Sequence, residues 1–415
     1  MKFFREKIFK ILFIPIIYFT CFFNLPFLTA IILRMQCFSL NSIKIKKNYR
    51  NKNLIIFFKS AGVDDVISAF EKNYSKKNII FLPRFNFQKI ETYFFGGYDI
   101  QSIKKNKSNY NKCSLFIDAV LKNFKNLFNN EIEFLSFNLS YPEEKIIREI
   151  CFKKKIKFFV LHKESVRSPG YEKMIFKKFQ KQHKSFNNLT KVAVYNSSSK
   201  KQLIKHKLIE GKKISIVGFP RGIYSLRKKK NSFVHKDTIL YFMISSYAST
   251  LRKVSWSKIA SIVEKTLFEL AKTNSKIQFI FKGKTNMHTE KIKNLRKYNN
   301  LSNVKYIDGG SGHNLITSRS IVIGFNSTAI MESLISDNDV IVPFFKKFRK
   351  PPYFEYAHSY NPKLFVNDEN DFKNKIIQKL KNRKKIEDKT FYQKIIKHYF
   401  DDIQNAPRKL RKFLQ

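Results

Sequence analysis

Cysteine is scarce in this chain of 415 residues, limited to Cys21, Cys37, Cys113 and Cys151. No two form a CxxC pair and no histidine stands beside them at metal-ligand spacing, which excludes a structural zinc site. They read as reduced thiols, as expected of a cytoplasmic body, and a disulfide scaffold is excluded with the zinc. The eight histidines are scattered as well, so no metal is expected. Acid is the second shortage: 31 Asp and Glu face 81 Lys and Arg, a formal charge of +50. Such an excess suits anionic partners. The basic residues run from Lys2 to Lys412 rather than along one stripe, and Lys, Asn, Ile and Phe are inflated together, as AT-rich coding produces. Specific nucleic-acid binding is therefore not expected, whereas attraction to an anionic membrane is. Internal repeats are absent. Disorder is excluded by a hydrophobic content of 43%, and the length suffices for two ordinary domains.

Long apolar runs are missing too, with one exception. Residues 11–33 carry no charge between Lys10 and Arg34, enough for a bilayer crossing, which needs about 20 residues. The run exceeds a signal-peptide core of about 7–15 residues and no small-residue cleavage site follows, so it is not a cleaved leader. Either it spans, or Asn24-Leu-Pro26 breaks it into two short helices that enter and leave one leaflet. Burial in a soluble core is the third reading. Pro15 and Pro26 disfavour one straight helix. Basic residues flank both ends (Lys2, Arg5, Lys7 and Lys10; then Arg34, Lys44, Lys46 and Lys47), which puts both on the cytoplasmic side. A re-entrant anchor over residues 1–40, on the cytoplasmic face of the inner membrane, is the expectation.

Beyond a basic, Asn-rich linker the chain alternates apolar strands with amphipathic helices. Strands are expected at 54–58, 79–82, 132–136, 156–161 and 192–195, with helices following Gly62 and at 114–128, 142–154 and 198–208. Residues 217–236, with Gly218, Pro220, Gly222 and the run Arg227-Lys-Lys-Lys230, read as a turn-rich connector. A second alternation succeeds it: strand 238–244, helix 254–272, strand 277–281, helix 286–298, strands 303–306 and 320–323, helix 327–335 and strand 339–342. Helical stretches at 370–384 and 389–414 close the chain. Such alternation predicts parallel sheets covered by helices.

The most informative block is Ser320-Ile-Val-Ile-Gly-Phe-Asn-Ser-Thr-Ala-Ile-Met-Glu332 followed by Asp339-Val-Ile-Val-Pro343. Ile321–Ile323 is a β-branched run of a strand buried on both faces. Gly324 permits a tight turn and close approach of a ligand. Asn326, Ser327 and Thr328 supply capping oxygens, and the free amides of that helix start suit a phosphate. Glu332, one turn on, is placed to hold two ribose hydroxyls. Helix capping alone would account for the same residues.

Gly-Phe-Asn-Ser-Thr-Ala with Glu332 and Val340-Ile-Val-Pro343 resembles the nucleotide-sugar site of GT-B glycosyltransferases, closest to those of capsule and surface-carbohydrate biosynthesis. Their fold is shared with UDP-sugar 2-epimerases and polyol-phosphate transferases. Weaker likeness lies at His162-Lys-Glu-Ser, Ser168-Pro-Gly170, Val217-Gly-Phe-Pro-Arg221 and His398-Tyr-Phe400; after this last, similar proteins commonly carry Gly and Asp, whereas Asp401 and Asp402 stand here. The resemblance implies an α/β fold of two Rossmann-like domains facing across a cleft: 41–216 for the acceptor, 217–236 a hinge, 237–385 for the nucleotide sugar, and 386–415 a helix crossing back.

It implies inverting, metal-independent transfer of a sugar from a nucleotide-sugar donor to a surface polysaccharide or lipid-linked acceptor, with no cofactor. On the donor side it points to Gly218, Arg221, Lys282, Lys284, His313, Gly324, Asn326, Ser327, Thr328 and Glu332. For the catalytic base it points to His162 and Glu164, because a histidine of near-neutral pKa suits abstraction of a hydroxyl proton. Gly62, Ser168 and Gly170 are expected on the acceptor side. A CDP-glycerol or CDP-ribitol phosphotransferase, a nucleotide-sugar 2-epimerase and a non-catalytic membrane scaffold remain the rival readings.

Overall fold

The computed structural model describes residues 13–39, 52–58, 61–71, 77–83, 85–96, 106–128, 131–139, 144–163, 173, 176–177, 180–181, 185–231, 238–244, 255–284, 288–298, 300–310, 312–316, 320–325, 328–336, 338–348, 362–381 and 389–415. The chain divides into two compact units. One comprises Met1–Glu164, Lys178–Pro220 and Asn405–Gln415; the other Ser165–Lys177 and Arg221–Gln404.

The first unit holds β1 (Phe38–Ser39), β2 (Lys52–Phe58), β3 (Asn78–Pro83), β4 (Glu131–Ser136), β5 (Phe158–His162), β6 (Lys191–Val194) and β7 (Ile214–Ile216), in the order β1-β3-β2-β4-β5-β6-β7. Every pairing is parallel except β1 with β3. Leu54, Ile55, Ile56 and Phe57 are all buried, as strands covered on both faces require. The helix Lys107–Phe128 buries Cys113, Phe116, Ile117, Val120, Leu121, Phe124 and Phe128, a three-and-four spacing that makes one apolar stripe. Asn196 caps the helix Ser197–Lys205, its side chain accepting from Ser199 N at 2.8 Å. The chain winds outward from β2 to β3, then returns to β4 on the other side of β2.

The second unit repeats the plan with β8 (Thr238–Phe242), β9 (Gln278–Lys282), β10 (Val304–Ile307), β11 (Ile321–Ile323), β12 (Asp339–Pro343) and β13 (Phe365–Val366). Their order is β10-β9-β8-β11-β12-β13, parallel throughout. Winding reverses between β8 and β11. Each unit is thus a doubly wound α/β sheet, in agreement with the alternation of the sequence.

The apolar run near the amino terminus is two helices, residues 13–22 and Pro26–Gln36. Asn24 takes a left-handed φ of 51° between them, and Pro26 opens the second helix, where its missing N–H is tolerated. Among the described residues no helix is long and apolar enough to cross a membrane.

Two expectations need correcting. The stretch read as a turn-rich connector contains the helix Gly222–Asn231, which packs against the helix Thr328–Ile335. Pro220 and Gly222 punctuate only its start, and every later residue tolerates a helix. The closing stretch 389–414 is not continuous: Lys389–Phe400 and Ala406–Leu414 are separated at Asp401, whose φ is 56°. The first of these helices packs on Thr328–Ile335 in the second unit, the other on Ala61–Phe70 in the first.

Candidate functional site

In doubly wound sheets ligands bind outside the carboxyl ends of the strands, where the winding reverses. For the second unit that point is the end of β8 and β11. Register aligns Phe242 with Lys282, and Ile323 with Tyr241. Gly324, one residue past Ile323, therefore stands level with Phe242 and Lys282. Two strand spacings of about 4.8 Å put Gly324 and Lys282 roughly 10 Å apart.

Gly324 is glycine for a packing reason. A Cβ there would lie 2.7 Å from Ile330 Cδ1 and 3.1 Å from the carbonyl oxygen of Phe242. What approaches it closely is the chain's own β8 and the helix Thr328–Ile335. Phe242 is also crowded by Gly312, where a Cβ would lie 2.6 Å from Cε1. Trp256, Phe325 and Phe344 form an aromatic cluster next to this turn, with ring centroids 4.0 Å and 5.4 Å from Phe325.

Glu332 is buried on the helix that follows Gly324. Its Oε1 accepts from Arg221 Nη2 at 2.6 Å and from Nε at 3.3 Å. Arg221, equally buried, directly precedes the helix Gly222–Asn231. The structure thus brings two sequence-chosen donor residues together, against each other.

Lys282 ends β9 and is largely buried, its Nζ donating to Gly283 O at 2.5 Å. Burial pushes its pKa below the ordinary 10.5, against the pull of nearby Asp308. Lys284 is exposed, and its amide donates to Nδ1 of His288 at 3.0 Å. Asp308 Oδ2 accepts from Thr289 Oγ1 at 2.7 Å. His288 and Asp308 are residues that motif reasoning does not select. Position is the available signal, since Asp308 directly follows β10 and His288 opens the next helix.

His313 has its backbone in the short 3-10 turn Gly312–Leu315, and Thr328 is the first residue of its helix. Asn326 and Ser327 lie outside the described residues, as do Glu164, Ser168 and Gly170. In the first unit, His162 is the last residue of β5 and fully buried. Gly62 is the second residue of the helix Ala61–Phe70 and lies beside Phe137, with no room for a Cβ. Lys163 N donates to Phe137 O at 3.3 Å, tying the end of β5 to that level. Behind Gly62, Asp65 accepts from the buried Tyr195 hydroxyl at 2.6 Å. Gly218, with φ of 76°, turns the chain after β7, a conformation open chiefly to glycine.

No known protein family matches the chain, and no curated protein does. Solved structures resemble it distantly. MnaA of S. aureus, solved with UDP, is 10% identical, covers 88% of this chain and 96% of its own, and has a TM-score of 0.49. HepE of Anabaena, in complex with UDP and glucose, is 9% identical with coverages of 88% and 99% and a TM-score of 0.45. WaaB, a lipopolysaccharide outer core galactosyltransferase in its apo form, is 12% identical with coverages of 88% and 98% and a TM-score of 0.40. The two strand orders by themselves define each unit as a doubly wound α/β sheet.

Proposed function

We propose that the chain is a GT-B glycosyltransferase that moves a sugar from a nucleotide-sugar donor to a surface polysaccharide or lipid-linked acceptor. The reaction would run at the cytoplasmic face of the inner membrane. The observation that supports this reading most is the level row Lys282, Phe242 and Gly324 at the winding reversal of the second sheet. A cation, an aromatic ring and a turn opening a helix meet where a nucleoside diphosphate would bind.

In the proposed reaction the bond from the anomeric carbon to the diphosphate oxygen breaks, and its electron pair leaves with the diphosphate. The acceptor oxygen bonds to the opposite face of that carbon, inverting it, and gives its proton to a base. Lys282, Lys284 and the amides opening the helix at Thr328 stabilise the leaving charge without a metal. Arg221 orients the Glu332 carboxylate toward the ribose hydroxyls, with His313 and Gly218 completing the donor side. The base is assigned to His162 or Glu164, and Gly62, Ser168 and Gly170 to the acceptor side. Replacing His162 and Glu164 in turn decides between them.

A turnover screen of UDP-, GDP- and CMP-sugars and of CDP-glycerol tests the proposal. Transfer from one nucleotide sugar to an acceptor is the expected result. Turnover of CDP-glycerol alone would reveal a polyol-phosphate transferase, and sugar epimerised without an acceptor a 2-epimerase. Either overturns glycosyl transfer.

A further inference from the structure

The helical hairpin over residues 13–36 has two faces of opposite character. Its inner face is fixed. Ile17, Thr20, Thr29, Ala30 and Leu33 are buried, and the helix Pro26–Gln36 packs along Lys107–Phe128. Thr29 Oγ1 donates to Thr20 Oγ1 at 2.8 Å, joining the two helices, and the Arg34 guanidinium sits 4.4 Å from the centre of the Phe128 ring.

The outer face is apolar and open. Of the twelve exposed large apolar side chains among the described residues, eight lie between Ile16 and Met35. Phe19, Phe22, Phe23, Leu25, Phe27 and Leu28 gather around the break between the helices. Phe22 is 68% exposed and Phe27 56%. Clusters of this kind on a monomer mark an interaction surface.

We propose that this tip inserts into one leaflet of an anionic bilayer and seats the first unit on it. Charge favours that occupant: the run 11–33 is uncharged, Lys and Arg flank it in sequence, and the chain carries +50. Two copies of so basic a chain repel each other. The backbone at the break also suits lipid. Phe23 N, Asn24 N, Leu25 N and Thr29 N donate to carbonyls of Phe19, Cys21, Thr20 and Leu25 at 2.8–3.3 Å. The amides of Phe27 and Leu28, in the first helical turn, have no intrahelical acceptor. With Asn24 they keep the tip near the headgroup boundary, at a depth of roughly 5–10 Å. Eleven residues in Pro26–Gln36 span about 16 Å, half of a hydrocarbon core of about 30 Å. The tip therefore reaches one leaflet and leaves the other untouched. The inference shares the membrane setting of the proposed function but none of its chemistry.

Sedimentation of the full chain with vesicles tests it, without nucleotide or acceptor. The protein is expected to bind vesicles of phosphatidylcholine mixed with phosphatidylglycerol, and poorly those of phosphatidylcholine alone. The double variant Phe22→Asp/Phe23→Asp should bind about tenfold or more weakly. Phe152→Asp, at an exposed position of the same unit, should bind as the parent does. Phe23→Trp, at an exposed position, should be quenched by lipids brominated near the headgroup. Parent-like binding by the double variant, absent quenching at position 23, or self-association through the tip in place of lipid binding would each overturn the proposal.

Discussion

Arg221 and Glu332 meet 2.6 Å apart although 111 residues separate them in the chain. Their side chains are almost fully buried, so neither charge has bulk water to fall back on. Breaking a buried ion pair by removing one partner typically destabilises by about 3–5 kcal/mol. Arg221→Ala and Glu332→Ala should each lower the free energy of unfolding by that measure. The pair Arg221→Met/Glu332→Leu should lose far less than the sum. Additive losses in urea titrations would mean the contact is not an energetic unit.

Gly324 has no space for a methyl group. Gly324→Ala drives Cβ into Ile330 and the Phe242 carbonyl, an overpacking worth about 1–3 kcal/mol. The melting temperature should fall, and any nucleotide affinity with it, because β8 and the helix Thr328–Ile335 must separate. Calorimetry with and without the nucleotide of the proposed donor measures both.

Lys282 offers a cation at the strand ends whose burial disfavours its charged form. An anionic ligand reverses that penalty. On the proposed donor site, Lys282→Met should weaken binding of the nucleotide that the turnover screen identifies about tenfold or more, the equivalent of a charge-assisted hydrogen bond of about 1.5–3 kcal/mol. It should leave the unliganded melting point equal or higher. Titration calorimetry paired with thermal unfolding separates these outcomes.

His288 is held below its ordinary pKa of 6.5, mainly by burial, with Lys291 adding to the effect. His398 is lowered by burial as well. The unfolded chain then binds more protons than the native one as pH drops below 6.5, so stability falls with acidity over that window. His288→Asn should flatten the decline between pH 7 and pH 5 in thermal melts. An unchanged slope would assign the effect to other groups.

Asp401 adopts a left-handed φ of 56° where it ends the helix Lys389–Phe400. A side chain there costs about 1–2 kcal/mol relative to glycine, less for Asp than for most. Asp401→Gly should therefore stabilise the chain by about 1 kcal/mol, read as a higher urea midpoint.

Much of the architecture is legible because it is written in short-range patterns. The runs Leu54–Phe58 and Ile321–Ile323 announce buried strands, and Asn24-Leu-Pro26 announces a helix break, since each depends on neighbours a few residues away. The helix Gly222–Asn231 escapes detection because Pro220 and Gly222 at its threshold signal a turn, hiding the helix-tolerant residues beyond them. β1 and β13 escape it because strands of two residues leave no period to detect, and β7 because Ser215 interrupts the apolar run that Ile321–Ile323 keeps unbroken.

Local pattern determined two alternating α/β halves, an apolar segment broken in two, and a strand-turn-helix at Gly324. Backbone preferences and side-chain periodicity act over a few residues and need no partner. Tertiary structure alone decided that Glu332 faces Arg221, that Lys282 stands level with Gly324, and that the aromatic tip of the hairpin is left open. Those outcomes depend on which strands pair and which faces are covered, and distant segments settle both only when they fold together.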